Sequence, residues 1–256
     1  MSVKAKKHLG QHFLTDENIA RKIVEGLSFE GYNNIMEVGP GMGVLTKYLL
    51  EKNQNIYLAE IDTESIDYLK NNYSQVTESN FVGDFLKQDF TFINKEQIAI
   101  IGNFPYNISS QILFQIIDHY EIIPEMVGMF QKEVAERTAA SPRTKDYGIL
   151  SVLIQAYYDT SYMFTVHENV FNPPPKVKSG VIRITRNPKA GLAGNEILFK
   201  QIVKTGFNQR RKKLSNALKP LNIPEALKTH EFMDKRAEEL SVADFIAFTQ
   251  LWKENQ

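Results

Sequence analysis

Short apolar runs alternate with helix-patterned segments over the first two-thirds of this chain, and that alternation constrains the fold most. Ile35 to Val38 is a short apolar strand that closes on Gly39, and Val44 to Glu51 reads as helix. Ile56 to Ile61 is a second strand and Thr63 to Tyr73 a second helix. Phe81-Val82 makes a brief third strand, and Ile98 to Ile101 a fourth, followed by a helix over 109–119. Met126 to Phe130 is a fifth strand, Glu133 to Ala140 and Tyr147 to Tyr158 look helical, and Val181 to Thr185 alternates like a late strand. Ahead of them Asp16 is an N-cap, with Ile19, Ile23, Val24 and Leu27 at helical spacing. Repeated βα units imply an α/β fold with a mostly parallel sheet covered by helices on both faces. A Pro- and Gly-containing stretch over 187–194 reads as a linker. Beyond it no strand pattern appears, and 196–207, 211–218, 224–231 and 241–253 read as helices. The expected organisation is a Rossmann-like domain over 1–190 and a small all-helical domain over 191–256.

Open α/β sheets bind ligands outside the carboxyl ends of their strands. At the first such end stands Glu37-Val38-Gly39-Pro40-Gly41-Met42-Gly43. Glycines there let the backbone turn tightly and approach a ligand closely. The spacing G-x-G-x-G is not the G-x-G-x-x-G that lays a pyrophosphate on a helix N-terminus. A shorter, Pro-stiffened loop suits an adenosyl ligand without phosphates. Glu60 ends the second strand, where an acid accepts from ribose hydroxyls, and Asp84 follows the third, where it can accept from an adenine amine. After the fourth strand comes Asn103-Phe104-Pro105-Tyr106. The Asn amide oxygen and the Pro105 carbonyl can accept from one exocyclic NH2, and Tyr106 offers a ring on which a base can stack. Each feature alone is ordinary strand-end or turn chemistry. Together they fit one ligand laid along the sheet edge and point to a class I S-adenosylmethionine-dependent methyltransferase. An NAD-dependent oxidoreductase conflicts with the glycine spacing.

The chain has 256 residues and no cysteine, which excludes a disulfide framework, a thiolate metal site and a Cys nucleophile. Its basic start, Met1 to His8, lacks a signal peptide's apolar core, and no apolar run is long enough to span a bilayer, so a cytoplasmic protein without membrane contact is expected. The five histidines show no metal-ligand spacing. Net charge is zero, but its distribution is uneven. Lys176, Lys178, Arg183, Arg186 and Lys189 fall in an acid-free stretch over 172–189, and Lys204, Arg210, Arg211, Lys212, Lys213 and Lys219 in another over 204–219. One basic, RNA-facing side on a neutral protein accounts for this; a solvated helix face is the alternative. Lys176, Lys178, Arg210, Arg211, Lys212 and Lys213 are the RNA-binding candidates.

A longer set of motifs narrows the reading. Leu9-Gly10-Gln11-His12-Phe13-Leu14-Thr15-Asp16 resembles the opening motif of the ribosomal RNA adenine dimethyltransferases. Glu37-Val38-Gly39-Pro40-Gly41, Glu60-Ile61-Asp62, Asn103 to Ser109 and Gln131-Lys132-Glu133-Val134 follow in that family's order. So do Tyr147 to Val152, Phe171-Asn172-Pro173-Pro174-Pro175-Lys176-Val177 and Phe207 to Lys212. The resemblance covers roughly residues 8 to 220 and is closest to the bacterial small-subunit branch. It implies S-adenosylmethionine as cofactor and, as substrate, two adjacent adenines of the 3′-terminal hairpin of 16S rRNA in an immature small subunit, converted to N6,N6-dimethyladenine. His12, Leu14, Gly39, Gly41, Glu60, Asp84 and Asn103 are then expected to hold the cofactor. Asn103 and Pro105 would hold the target amine, with Tyr106 and Phe171 on the two faces of the base. Many members carry Asn in place of His12, Leu in place of Phe104 and an acid in place of Lys178. The sister 23S rRNA enzyme shares nearly every motif, and a non-catalytic assembly factor with an inert fold is a further alternative. Nothing demands more than a monomer.

Overall fold

The protein is described by a computed structural model over residues 3–188, 192 and 194–256, so 189–191 and 193 of the expected linker, Lys189 included, lie outside the described residues. Among the described residues there are eight strands: β1 Phe13–Leu14, β2 Asn34–Val38, β3 Asn55–Ala59, β4 Ile98–Asn103, β5 Glu125–Gln131, β6 Tyr158–Val166, β7 Phe171–Asn172 and β8 Ser179–Arg186. The helices are α1 Glu17–Val24, α2 Thr46–Leu49, α3 Thr63–Asn72, α4 Ser109–Asp118, α5 Lys132–Thr138, α6 Ile149–Gln155, α7 Glu196–Asn208, α8 Leu214–Ala217 and α9 Val242–Glu254. Contacts divide the chain into two compact units, Met1–Ala135 with Ser161–Arg186, and Glu136–Thr160 with Asn187–Gln256.

The first unit is built on a sheet of order β3-β2-β4-β5-β8-β6. β3, β2, β4 and β5 run parallel, and β8 pairs antiparallel with β5. β4 is apolar from Ile98 to Gly102 because helices cover both faces of a parallel sheet, and Ile98, Ala99, Ile100 and Ile101 are fully buried. The chain leaves β2 for β3 on one side and returns to β4 on the other. The carboxyl ends of β2 and β4 therefore flank a topological switch point, where such sheets bind ligands. Asp16 caps α1 by accepting from the Asn18 and Ile19 N–H groups (2.9 and 3.0 Å), and the helix buries Ala20, Ile23 and Val24.

Several features differ from the sequence reading. Phe81-Val82 forms only an isolated bridge to Leu58, because Gly83 at φ +79° turns the chain at once. The helix expected to Tyr158 stops at Gln155, and the chain enters β6, whose mixed burial gave no clean alternation. Phe13–Leu14 and Phe171–Asn172, too short to read as strands, pair across 157 residues of chain as an antiparallel ribbon, with Phe13 opposite Asn172 and Leu14 opposite Phe171.

The second unit is helical over its C-terminal part. α7 buries Phe199, Ile202 and Val203, and α9 buries Phe245, Phe248 and Trp252. Ser241 and Asp244 cap α9 reciprocally, as 3.1 and 2.8 Å bonds. The segment expected to be helical over 224–231 holds 3-10 turns at Glu225–Leu227 and Glu231–Asp234 instead, since Pro224 stiffens its start and the His230 ring nitrogen caps Phe232. Glu136–Thr160, read as part of the first domain, groups with these helices: the Tyr147 hydroxyl donates to the Leu240 carbonyl (3.0 Å), and α6 buries Val152, Leu153 and Ile154.

Candidate active site

At the switch point the loop after β2 carries three residues in the left-handed region, Gly39 (φ +69°), Gly41 (φ +54°) and Gly43 (φ +81°). At Gly41 the requirement is double, because a Cβ would also stand 2.8 Å from the Phe13 ring. The Gly39 N–H donates to the Ala59 carbonyl (2.9 Å), which ties the loop to the end of β3. The next residue on that strand end, Glu60, is buried and takes three backbone donors: Gly41 (3.2 Å), Ile61 (2.9 Å) and Asp62 (2.9 Å). Burial pushes its carboxyl above the usual carboxylate range, against those bonds. Glu37, fully buried beneath the loop, is pushed up to about 8 by burial, with Thr46 donating to it at 2.6 Å.

His12, Gly39, Gly41, Glu60, Asp84, Asn103, Pro105 and Tyr106, all expected from the sequence, line one cleft. Asp84 faces it beside Phe85 and caps the Leu86 N–H (3.0 Å). Leu14 and Phe171 do not line it. They are register partners in the β1–β7 ribbon, each 4% exposed, and both belong to the core under the sheet. Phe13 lines the cleft, and Leu14 lines a smaller recess with Phe13, Gly39 and Asn103. Ile61 also lines it and is 57% exposed; sequence reading passed over it as the last residue of an apolar strand.

Asn103, the last residue of β4, has a defined sidedness. Its Nδ2 donates to the His12 carbonyl (2.8 Å), so the amide oxygen is its remaining acceptor. Pro105 departs from expectation. Its carbonyl accepts from the Ile108 N–H (3.3 Å) in the turn into α4, while the Ser109 hydroxyl, with a single proton to give, lies closer to the Tyr106 carbonyl (3.0 Å). The Phe104 carbonyl takes no comparable bond among the described residues, while its N–H donates to Met129 (3.1 Å). Tyr106 is fixed at both ends: its hydroxyl meets the Ser179 hydroxyl at 2.5 Å, and its ring lies 5.5 Å from that of His12, 30° from parallel. Burial raises its pKa, so the ring stays neutral. His12 and Tyr106 also line a second, adjoining cleft with Pro173, Pro174 and Pro175, so they stand between the two.

The basic candidates separate. Lys176 lines the second cleft, and Lys176 and Lys178 are exposed. Arg211 and Lys212 are exposed and pair with no acid among the described residues. Arg210 is occupied within the second unit by Glu238 and the carbonyls of Lys145 (2.7 Å) and Thr144 (2.9 Å), and Lys213 pairs with Asp234 (2.9 Å). Three of the five guanidinium N–H groups of Arg210 are thus engaged within its own unit.

The first cleft presents two carboxylates and, among the described residues, no lysine or arginine, which suits a cationic adenosyl ligand and not a dinucleotide. The fold and this cleft define a class I S-adenosylmethionine-dependent methyltransferase. A family model described as ribosomal RNA adenine dimethylase matches residues 2–254, and the chain belongs to that family, as an rRNA adenine dimethyltransferase. It is 57% identical over 249 residues to the ribosomal RNA small subunit methyltransferase A of Flavobacterium johnsoniae, covering 97% of this chain and 95% of that one. It is 55% identical over 251 residues to the protein of the same name from Cytophaga hutchinsonii, covering 97% of each. Its fold matches a dimethyladenosine transferase from Plasmodium falciparum with a TM-score of 0.84 at 24% identity, over 95% of this chain and 98% of the other.

Proposed function

We propose that this enzyme dimethylates N6 of two adjacent adenines in the 3′-terminal hairpin of 16S rRNA, acting as a cytoplasmic monomer on an immature small subunit. The choice of subunit is supported by relatives named for the small subunit over nearly the whole of both chains. Among the described residues no helix is long and apolar enough to cross a membrane. The observation that carries the chemistry is the sidedness of Asn103, whose amide presents oxygen to the cleft.

When bound against Gly39, Gly41, Glu60 and Asp84, S-adenosylmethionine supplies an activated, electrophilic methyl group. The residues of the chain then have to present a poor nucleophile in line, which is orientation catalysis. The adenine amine is poorly nucleophilic because its lone pair is delocalised into the ring. Asn103 Oδ1 and the Phe104 carbonyl accept from its N–H groups, favour a more pyramidal nitrogen and stabilise the positive charge that develops there. A monomethylated amine keeps one N–H and can still use one acceptor. Extruding the base from its stack costs a few kcal/mol. Stacking on Tyr106 returns about 1–3 kcal/mol. The proline run over 173–175, rather than Phe171, walls the other side of the second cleft.

The test is methyl transfer from labelled S-adenosylmethionine to small subunits lacking the hairpin modification, with protein-free 23S rRNA in parallel. Label recovered as dimethyladenine in the small subunit supports the reading. Label only in 23S rRNA moves the enzyme to the sister activity. Cofactor binding with label in neither supports an assembly factor.

A further inference from the structure

We propose that His12 is a positioning residue: its ring pins the start of the β1–β7 ribbon so that its own main-chain carbonyl fixes the orientation of Asn103. The inference rests on the reading of Asn103 as the acceptor for the target amine.

The geometry follows from register. Thr15 donates its N–H to the Val170 carbonyl (2.8 Å), which makes 15 and 170 a hydrogen-bonded pair. Antiparallel pairs alternate between bonded and non-bonded positions, so with Phe13 opposite Asn172 the His12–Pro173 position is non-bonded. There the main-chain groups of His12 point away from β7. Its carbonyl is thus free of the ladder and accepts Asn103 Nδ2 at 2.8 Å. The same alternation leaves residue 12 without a main-chain tie to its partner. The ring supplies one: His12 Nδ1 lies 2.8 Å from the Pro173 carbonyl, and because a carbonyl only accepts, Nδ1 carries a proton.

A terminal amide has two orientations of similar shape. Turned over, Asn103 would present NH2 to an NH2 and repel the group it is read to hold. The His12 carbonyl excludes that orientation, since facing it with the amide oxygen would oppose two acceptors. Upstream the strand is held by Gln11, which donates to Asp62 (2.9 Å), and by the Lys6–Asp62 ion pair, and downstream by the ladder from Phe13 to Thr15, so the ring is the tie at residue 12 itself.

The experiment compares wild-type enzyme with His12→Ala and His12→Asn, the latter keeping a short donor that can reach the Pro173 carbonyl. Steady-state methyl transfer is measured together with ¹⁵N NMR of the Asn103 side-chain amide. We expect His12→Ala to lower kcat about tenfold or more with KM for S-adenosylmethionine near the wild-type value, and His12→Asn to recover much of that loss. In wild type one Asn103 amide proton is protected from exchange; in His12→Ala the protection is lost, a readout that needs no turnover. A folded His12→Ala enzyme with wild-type kcat and a protected amide overturns the proposal. So does a loss confined to the KM for S-adenosylmethionine, which would make His12 a cofactor contact. If wild type transfers no methyl group, the reading of function fails, and the amide signal alone decides the role of His12.

Discussion

The Phe104 ring occupies the space that a side chain on Gly128 would need: a Cβ built there stands 2.0 Å from the Phe104 Cε2 atom. The ring is buried, lies 4.8 Å from that of Phe130, and would also meet a Cβ on Gly102 at 2.8 Å. Two glycines on neighbouring strands thus make room for phenylalanine in the Asn-Phe-Pro-Tyr turn. Gly128→Ala should destabilise the protein by about 1–3 kcal/mol through overpacking. Phe104→Leu in that background should restore part of the loss, so that a double-mutant cycle by chemical denaturation gives a clearly non-zero coupling. Additive effects would mean that the ring and the glycine are not in contact.

Asn103→Ala removes the acceptor while leaving β4 apolar and buried. Methyl transfer should fall by about 10²-fold or more, with S-adenosylmethionine still bound and the melting temperature little changed. Wild-type turnover in that variant would remove Asn103 from the chemistry.

The basic cluster after α7 should divide by function. Arg211→Gln with Lys212→Gln should lower the slope of log affinity for rRNA against log salt by roughly 1.5–2, as expected for two lost phosphate contacts. Arg210→Gln should leave that slope and instead lower the melting temperature, because it unpairs Glu238 and frees the carbonyls of Thr144 and Lys145. An unchanged slope in the double variant would show that Arg211 and Lys212 are solvated surface charges.

Glu37 gives the fold a pH dependence of defined sign. Its carboxyl rises from an ordinary 4.5 to about 8 because it is buried, so the folded protein holds a proton that the unfolded chain releases. The associated stability is complete below pH 4.5 and is lost as pH rises through about 8. Glu37→Gln still accepts from Thr46 and cannot ionise. Its melting temperature should therefore exceed that of wild type at pH 8–9, with the gap closing toward pH 5. A constant difference across that range would mean that Glu37 ionises freely in the fold.

The strands that carry the site were legible because their physics is local. β2, β3 and β4 are largely apolar runs that end at Gly39, Glu60 and Asn103, and a strand covered on most of its length favours such residues. The glycine loop, the acids and the Asn-Phe-Pro-Tyr turn were therefore expected at one sheet edge, and they line one cleft there. Sequence alone determined which groups arrive at that edge. Only the tertiary structure decided which of them face the ligand, since that depends on partners distant in the chain. Leu14 and Phe171 face each other in a two-residue ribbon and turn into the core, a pairing no periodicity can announce. The Pro105 carbonyl accepts the Ile108 N–H, and Arg210 is drawn into an ion pair with Glu238. Asn103 acquires its direction from a carbonyl 91 residues away. A residue's type fixes what it can donate or accept, and the fold fixes which of those capacities are already spent.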